Sequence, residues 1–286
     1  MRRTLTVALV VLSAGAGTVV PALAESRIRL NVVGLTGDQR LVSFASRSAD
    51  QTRDLGRISG LQGDTRIVGI DYRVQNGKLY GVGDLGGVYT LNGNAWAHKV
   101  SQLTVALSGG DFGVDFNPAA NRLRVISDTG QNLRHNIDDP VGSPAAGTTV
   151  ADATLTNPAV PPAPGATALG VSGAGYTNND LSAVTSTTLF DVDTTANRVS
   201  VQSPANAGTL APTGGLGVAA TGGAGFDVYS SLRNGVTVSN TAFATLRVGG
   251  SYKFYLIDLL TGAATFQDPF PANRQVVDIA IPLSRR

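Results

Sequence analysis

The sequence predicts an all-β domain assembled from repeated units of short strands, and three observations carry that prediction. Turn and strand formers dominate: glycine accounts for 35 of 286 residues, glutamate occurs once (Glu25) and lysine only at Lys78, Lys99 and Lys253, so good surface-helix formers are scarce. Short alternating or apolar runs recur between Gly, Asn and Asp turns, and no stretch carries a long amphipathic helical stripe. Finally, the chain repeats itself imperfectly, with a period of about 44 residues.

The repeat is clearest in two units. Gly69-Ile70-Asp71-Tyr72, the strand around Leu79 and the turn at Gly86 recur 44 positions later as Gly113-Val114-Asp115-Phe116, the strand around Leu123 and the turn at Gly130. Weaker copies begin at Gly173-Ala174-Gly175-Tyr176 and at Gly225-Phe226-Asp227-Val228, with the pattern blurred over 234–248. The first unit starts near Leu30. Val276-Val277-Asp278-Ile279 is a further strand of the first type with no partner after it. A period in the low forties with several strands per unit is the mark of a β-propeller blade. One four-stranded sheet cannot cover both of its apolar faces, so blades stack around an axis. We read five or six blades, with the last strand completing the first blade and removing an exposed edge. Residues 138–167, rich in Pro, Gly and Ala, read as a long connection between blades.

The N-terminus reads as a removable export signal over 1–24. Arg2 and Arg3 precede an apolar stretch (5–20), and Pro21-Ala22-Leu23-Ala24 forms a small-x-small cleavage site. This leaves one expected domain, 25–286. Removing Arg2 and Arg3 turns 22 basic against 20 acidic residues into 20 against 20. A neutral domain without a Lys/Arg run argues against nucleic acid, and no later stretch is long and apolar enough for a membrane-spanning helix. A monomer outside the cytoplasm, secreted or periplasmic, is expected. Its partner would be an extracytoplasmic protein, a glycan or a small molecule. The chain has no cysteine, which excludes disulfides, thiolate metal sites and a thiol nucleophile.

The densest polar cluster supplies the candidate catalytic residues Asp111, Asp115, Arg122 and Arg124. In strand geometry Leu123 and Val125 face one way while Arg122 and Arg124 face the other. With Arg134 they would line a face that binds anions or polar groups. The competing reading is structural: Asp71, Asp115, Asp227 and Asp278 occupy like places in their units, and a residue repeated in every blade is more readily a structural one. No cofactor is predicted. Were a cation present, the oxygen pairs Asp191/Asp193 and Asp138/Asp139 would suit calcium. His98 and His135 lack zinc spacing, and Gly-x-Ser-x-Gly is absent. Trp96, beside His98, is expected to be ordinary blade packing; the alternative is that the two form an exposed recognition pair.

The run from Gly113 to Arg134, through Asn117-Pro118, Asn121-Arg122-Leu123-Arg124 and Asp128-Thr129-Gly130-Gln131-Asn132, resembles the signature of the bacterial domain-of-unknown-function family numbered 4394. Segments 69–91, 206–218 and 255–258 look like its other blocks. The resemblance implies a secreted or periplasmic propeller-like protein and no activity. Fold does not choose between binders and enzymes. The expected function is therefore an extracytoplasmic binding or scaffolding module. The alternative is a hydrolase or lyase acting on a sugar or lactone through Asp and Arg residues at the axial face.

Overall fold

The computed structural model describes residues 29–284, and the expected export signal lies outside them. The described residues form a β-propeller of five blades, each a four-stranded antiparallel sheet. Blade 1 contains β1 (Asn31–Thr36), β2 (Arg40–Ala45) and β3 (Ser48–Arg57), and blade 2 contains β4 (Ile67–Arg73), β5 (Lys78–Gly83), β6 (Gly87–Leu91) and β7 (Ala97–Gln102). Blade 3 contains β8 (Phe112–Asn117), β9 (Arg122–Ser127), β10 (Asn132–His135) and β11 (Thr149–Ala151). Blade 4 contains β12 (Val171–Tyr176), β13 (Leu189–Asp193), β14 (Arg198–Gln202) and β15 (Leu210–Gly215). Blade 5 contains β16 (Gly225–Arg233), β17 (Val236–Val248), β18 (Ser251–Ile257) and β19 (Ala264–Pro269). The last strand, β20 (Val276–Ala280), pairs with β1 and becomes the innermost strand of blade 1. The ring therefore closes as the unpartnered C-terminal strand predicts.

Two features blurred the repeat. Blade 5 opens with a long hairpin, nine residues of β16 against thirteen of β17 around a turn at Gly235, so its second and third strands fall late. The segment 138–167 is more than a connection, because it contains β11, the short fourth strand of blade 3.

The hydrophobic core is divided among the blade interfaces. One cluster joins Leu35 and Leu41 of blade 1 to Ile70 and Tyr89 of blade 2, and another joins Val82 of blade 2 to Phe116 and Leu123 of blade 3. Blades 4 and 5 meet through Val192, Val199, Phe226 and Ala244, and blades 5 and 1 through Phe254, Phe44 and Val276. The interface of blades 3 and 4 differs. The only strand residue that blade 3 gives to its apolar cluster is Ile126.

Innermost strands β4, β8, β12, β16 and β20 pack side by side around the axis. Gly-x-Asp on these strands has a clear local purpose. A Cβ on Gly69 would lie 2.4 Å from Val114 of the next blade, and one on Gly113 would lie 2.8 Å from the Ala174 backbone nitrogen. Glycine thus permits the close approach of the neighbouring strand. Two residues on, the aspartate faces the same neighbour.

Candidate functional site

Asp71, Asp115, Asp227 and Asp278 converge on the axis, and all four are buried. Each reaches forward to the next innermost strand present around the ring. Asp71 Oδ2 accepts from the Phe116 N–H at 2.8 Å, and Asp278 Oδ2 accepts from the Ile70 N–H at 2.7 Å. Asp227 Oδ2 accepts from the Ile281 N–H at 2.5 Å, while its Oδ1 accepts from Val228. Asp115 is bonded by the Tyr176 N–H. On β12 the matching position is Gly175, where a Cβ would meet the Phe226 ring at 2.9 Å, so the ring has four carboxylates and one gap.

Burial is the main reason these acids resist ionisation. Desolvation pushes Asp71, Asp115 and Asp278 well above the usual carboxylate range, and each is raised further by a neighbouring axial acid. Asp227 is pushed up to about 6 by desolvation, offset by the N–H groups of Ile281 and Val228. Oxygens of Asp71, Asp115 and Asp227 lie within 4.8 Å of one another, a spacing that could also hold a cation. Sequence had suggested other residues for calcium, and these are dispersed. Asp138 is paired with Arg73 and Asp139 with Arg122. Asp193 caps the turn at Thr195 and Ala196. Asp191 lies buried in β13, raised well above the usual range by desolvation.

The four candidate catalytic residues do not form one constellation. Asp111 is half-buried at the mouth of the axial channel, in a cavity of about 140 Å³ shared with Gln39, Arg66, Tyr252 and Asp278. Burial and the nearby Asp128 raise it, and Arg66 partly offsets them. Arg122 lies at the other end of the same blade, opposite Asn117. With roughly 3.3 Å per strand residue, the length of β8 puts about 20 Å between those ends. Asp115 and Arg124 are cross-strand partners, yet Arg124 donates its hydrogen bonds elsewhere.

Arg122, Arg124 and Arg134 all face blade 4, as the alternation predicts. Arg124 is buried and donates to Asn132 Oδ1 (2.7 Å), Asp152 Oδ2 (2.7 Å), Asn206 Oδ1 (2.7 Å) and the Tyr176 hydroxyl (3.3 Å). Arg134 shares Asp152, at 3.1 and 3.2 Å. Sequence reasoning missed Asp152, Tyr176 and Asn206, which are 28, 52 and 82 positions from Arg124. This interface also holds unmet polar capacity. Asp115 Oδ1, Arg122 Nε, both Asp191 carboxylate oxygens, Arg198 Nε, Ser200 Oγ and Gln202 Oε1 are buried without a hydrogen-bond partner. Among the described residues, only Gln75 Oε1 shares that condition outside these two facing sheets.

Trp96 is not blade packing. It is 54% exposed and lines, with Tyr72, Lys78 and His98, a groove of about 520 Å³ between blades 1 and 2. His135 is buried between Ser101 and Thr149, at 2.8 and 3.0 Å, and desolvation lowers it to about 4.

Fold and axis together define a closed five-bladed propeller with a carboxylate-lined core. The chain belongs to the family described as Domain of unknown function (DUF4394), whose model matches residues 40–280. Among solved structures it is similar to a chain of the nidogen/laminin complex, at 13% identity, covering 90% of this chain and 87% of that one with a TM-score of 0.43. It is also similar to PorZ, a bacterial surface component of the type-IX secretion system of Porphyromonas gingivalis. That match has 15% identity, covers 86% of this chain and 39% of that one, and gives a TM-score of 0.33. No curated relative matches.

Proposed function

We propose that this chain is an exported binding or scaffolding module, secreted or periplasmic, that works as a monomer on an extracytoplasmic protein, glycan or small molecule. One observation carries the reading: the residues that most resemble a catalytic set, the axial aspartates, are spent on fastening each blade to a neighbour. Carboxylate oxygens committed to backbone N–H groups of a packed neighbouring strand are not free to attack a substrate or to take its proton. A rigid ring with loops at both ends is what a binder requires. The export half of the reading rests on the segment ending at Ala24.

The test has two parts. Expressed as the precursor in a bacterial host, the chain should be recovered outside the cytoplasm with Glu25 as its first residue; retention with Met1 or Arg2 first would overturn the export reading. Asp71→Ala and Asp115→Ala should each lose roughly 1–3 kcal/mol of stability, the cost of leaving one buried N–H without its acceptor. If Asp115→Ala were as stable as wild type while Asp71→Ala was not, Asp115 would have a purpose other than locking blades.

A further inference from the structure

The interface of blades 3 and 4 contains a small pocket, about 100 Å³, whose lining includes Asn117, Arg122, Arg124, Arg134, Tyr176 and Asn206. Three guanidinium groups reach it. Two of them, Arg124 and Arg134, sit directly opposite each other across β9 and β10. Like charges so placed repel, and the acids paired with the three arginines are only Asp152, shared by Arg124 and Arg134, and Asp139, held by Arg122. Three fixed positive charges against two negative ones leave one positive charge over. Asp191, on the facing sheet, is raised well above the usual carboxylate range by burial and forms no ion pair with these arginines.

These arginines are also held in place. Arg122 donates to the carbonyl oxygens of Ala120, Asn121 and Val141, and Arg134 to that of Ser143. Their geometry is set before any ligand arrives, so little side-chain entropy remains to be lost on binding. Donors are still free: the buried Nε–H of Arg122 has no acceptor. The Tyr176 hydroxyl accepts from Arg124, and its own proton can serve an acceptor in the pocket. Excess positive charge, forked N–H donors and a volume near that of a few water molecules fit one ligand chemistry.

We propose that the pocket between blades 3 and 4 binds a small oxyanion group, phosphate, sulfate or carboxylate, either as the free ion or as the end group of a larger molecule. The proposal rests on the reading of the domain as a binder and supplies its ligand class. Its failure would leave the blade-locking function of the axial aspartates untouched.

The exported, processed chain is titrated calorimetrically with sodium phosphate, sodium sulfate and sodium acetate, each against sodium chloride at equal ionic strength. At least one anion should bind saturably with a stoichiometry near one. Arg134→Gln, at the more exposed of the three arginines, should weaken it at least tenfold, and Arg40→Gln, at a surface arginine outside the pocket, should leave it unchanged. Binding of acetate alone marks a carboxylate site, and binding of phosphate and sulfate marks a tetrahedral one. Absence of saturable binding by all three, or equal weakening in Arg40→Gln, overturns the proposal. Should Arg134→Gln fail to fold, crystals of the wild type grown with and without phosphate decide the matter. Phosphate density in the pocket supports the site, and ordered water under both conditions rejects it.

Discussion

Replacing Asp227 by asparagine should change how stability depends on pH in a direction fixed by the axial geometry. In the fold Asp227 binds its proton up to about pH 6, against 3.8 for the free side chain. The folded state therefore holds more protons than the unfolded state across that window, and wild-type stability falls as pH rises through it. At 1.36 kcal/mol per pKa unit, the loss is on the order of 3 kcal/mol. Asparagine preserves a carbonyl acceptor for the Ile281 N–H but never ionises. Near pH 4 the variant should resemble wild type, apart from a constant offset for the weaker acceptor. By pH 7 it should have gained about 3 kcal/mol relative to wild type, which for a chain of this size is roughly 6–12 °C in Tm. Removing this charge also relieves Asp71 and Asp115, both raised by it, so the gain cannot be smaller on their account. His135 titrates over part of the same range with opposite sign, but equally in both proteins, so the difference curve removes it. Thermal unfolding followed by circular dichroism from pH 4 to 8 supplies that curve. A flat or falling curve would refute the burial argument.

His135, lowered to about 4 from 6.5, holds fewer protons folded than unfolded, so its contribution to stability is complete above pH 6.5 and lost as pH falls toward 4. Its imidazole signals in NMR should stay in the neutral form to about pH 5. Arg124→Ala removes the donor to Asn206 and one of the donors to Asp152 and Asn132 in a buried site and should cost roughly 3–5 kcal/mol in denaturant unfolding. Gly69→Ala drives a methyl group into Val114 of the next blade and should cost about 1–3 kcal/mol, read as a lower Tm. Trp96→Ala, at the exposed lip of the groove between blades 1 and 2, should cost under about 1 kcal/mol. The emission of Trp96, the chain's single tryptophan, should lie at the red, water-exposed end.

The axis was largely legible in the sequence because it repeats. Asp71 and Asp115 stand 44 positions apart, and the glycine two residues before each marks where a neighbouring strand must come close. The blade count was less legible for steric reasons: Gly175 replaces the third axial aspartate in chain order where the Phe226 ring lies. The three residues of β11 are also too few to show a period. The seam between blades 3 and 4 was half legible. Alternation along β9 correctly put Arg122 and Arg124 on one face, but their partners come from a connection, another blade and the turn at Asn206. No local pattern encodes contacts of that range. Trp96 misled because an aromatic residue at a strand edge has the same local pattern whether its ring packs inward or lines a groove.

Carboxylates of one blade hold backbone groups of a neighbour, and amide hydrogen exchange measures that link directly. In Asp71→Ala the Phe116 N–H on β8 should exchange ten- to a hundredfold faster, the equivalent of losing one hydrogen bond to a charged or strongly polar acceptor. Amides bonded within blade 2 should keep most of their protection. Unchanged protection at Phe116, or a loss confined to the strands of blade 2, would contradict the claim that the axial aspartates lock the ring.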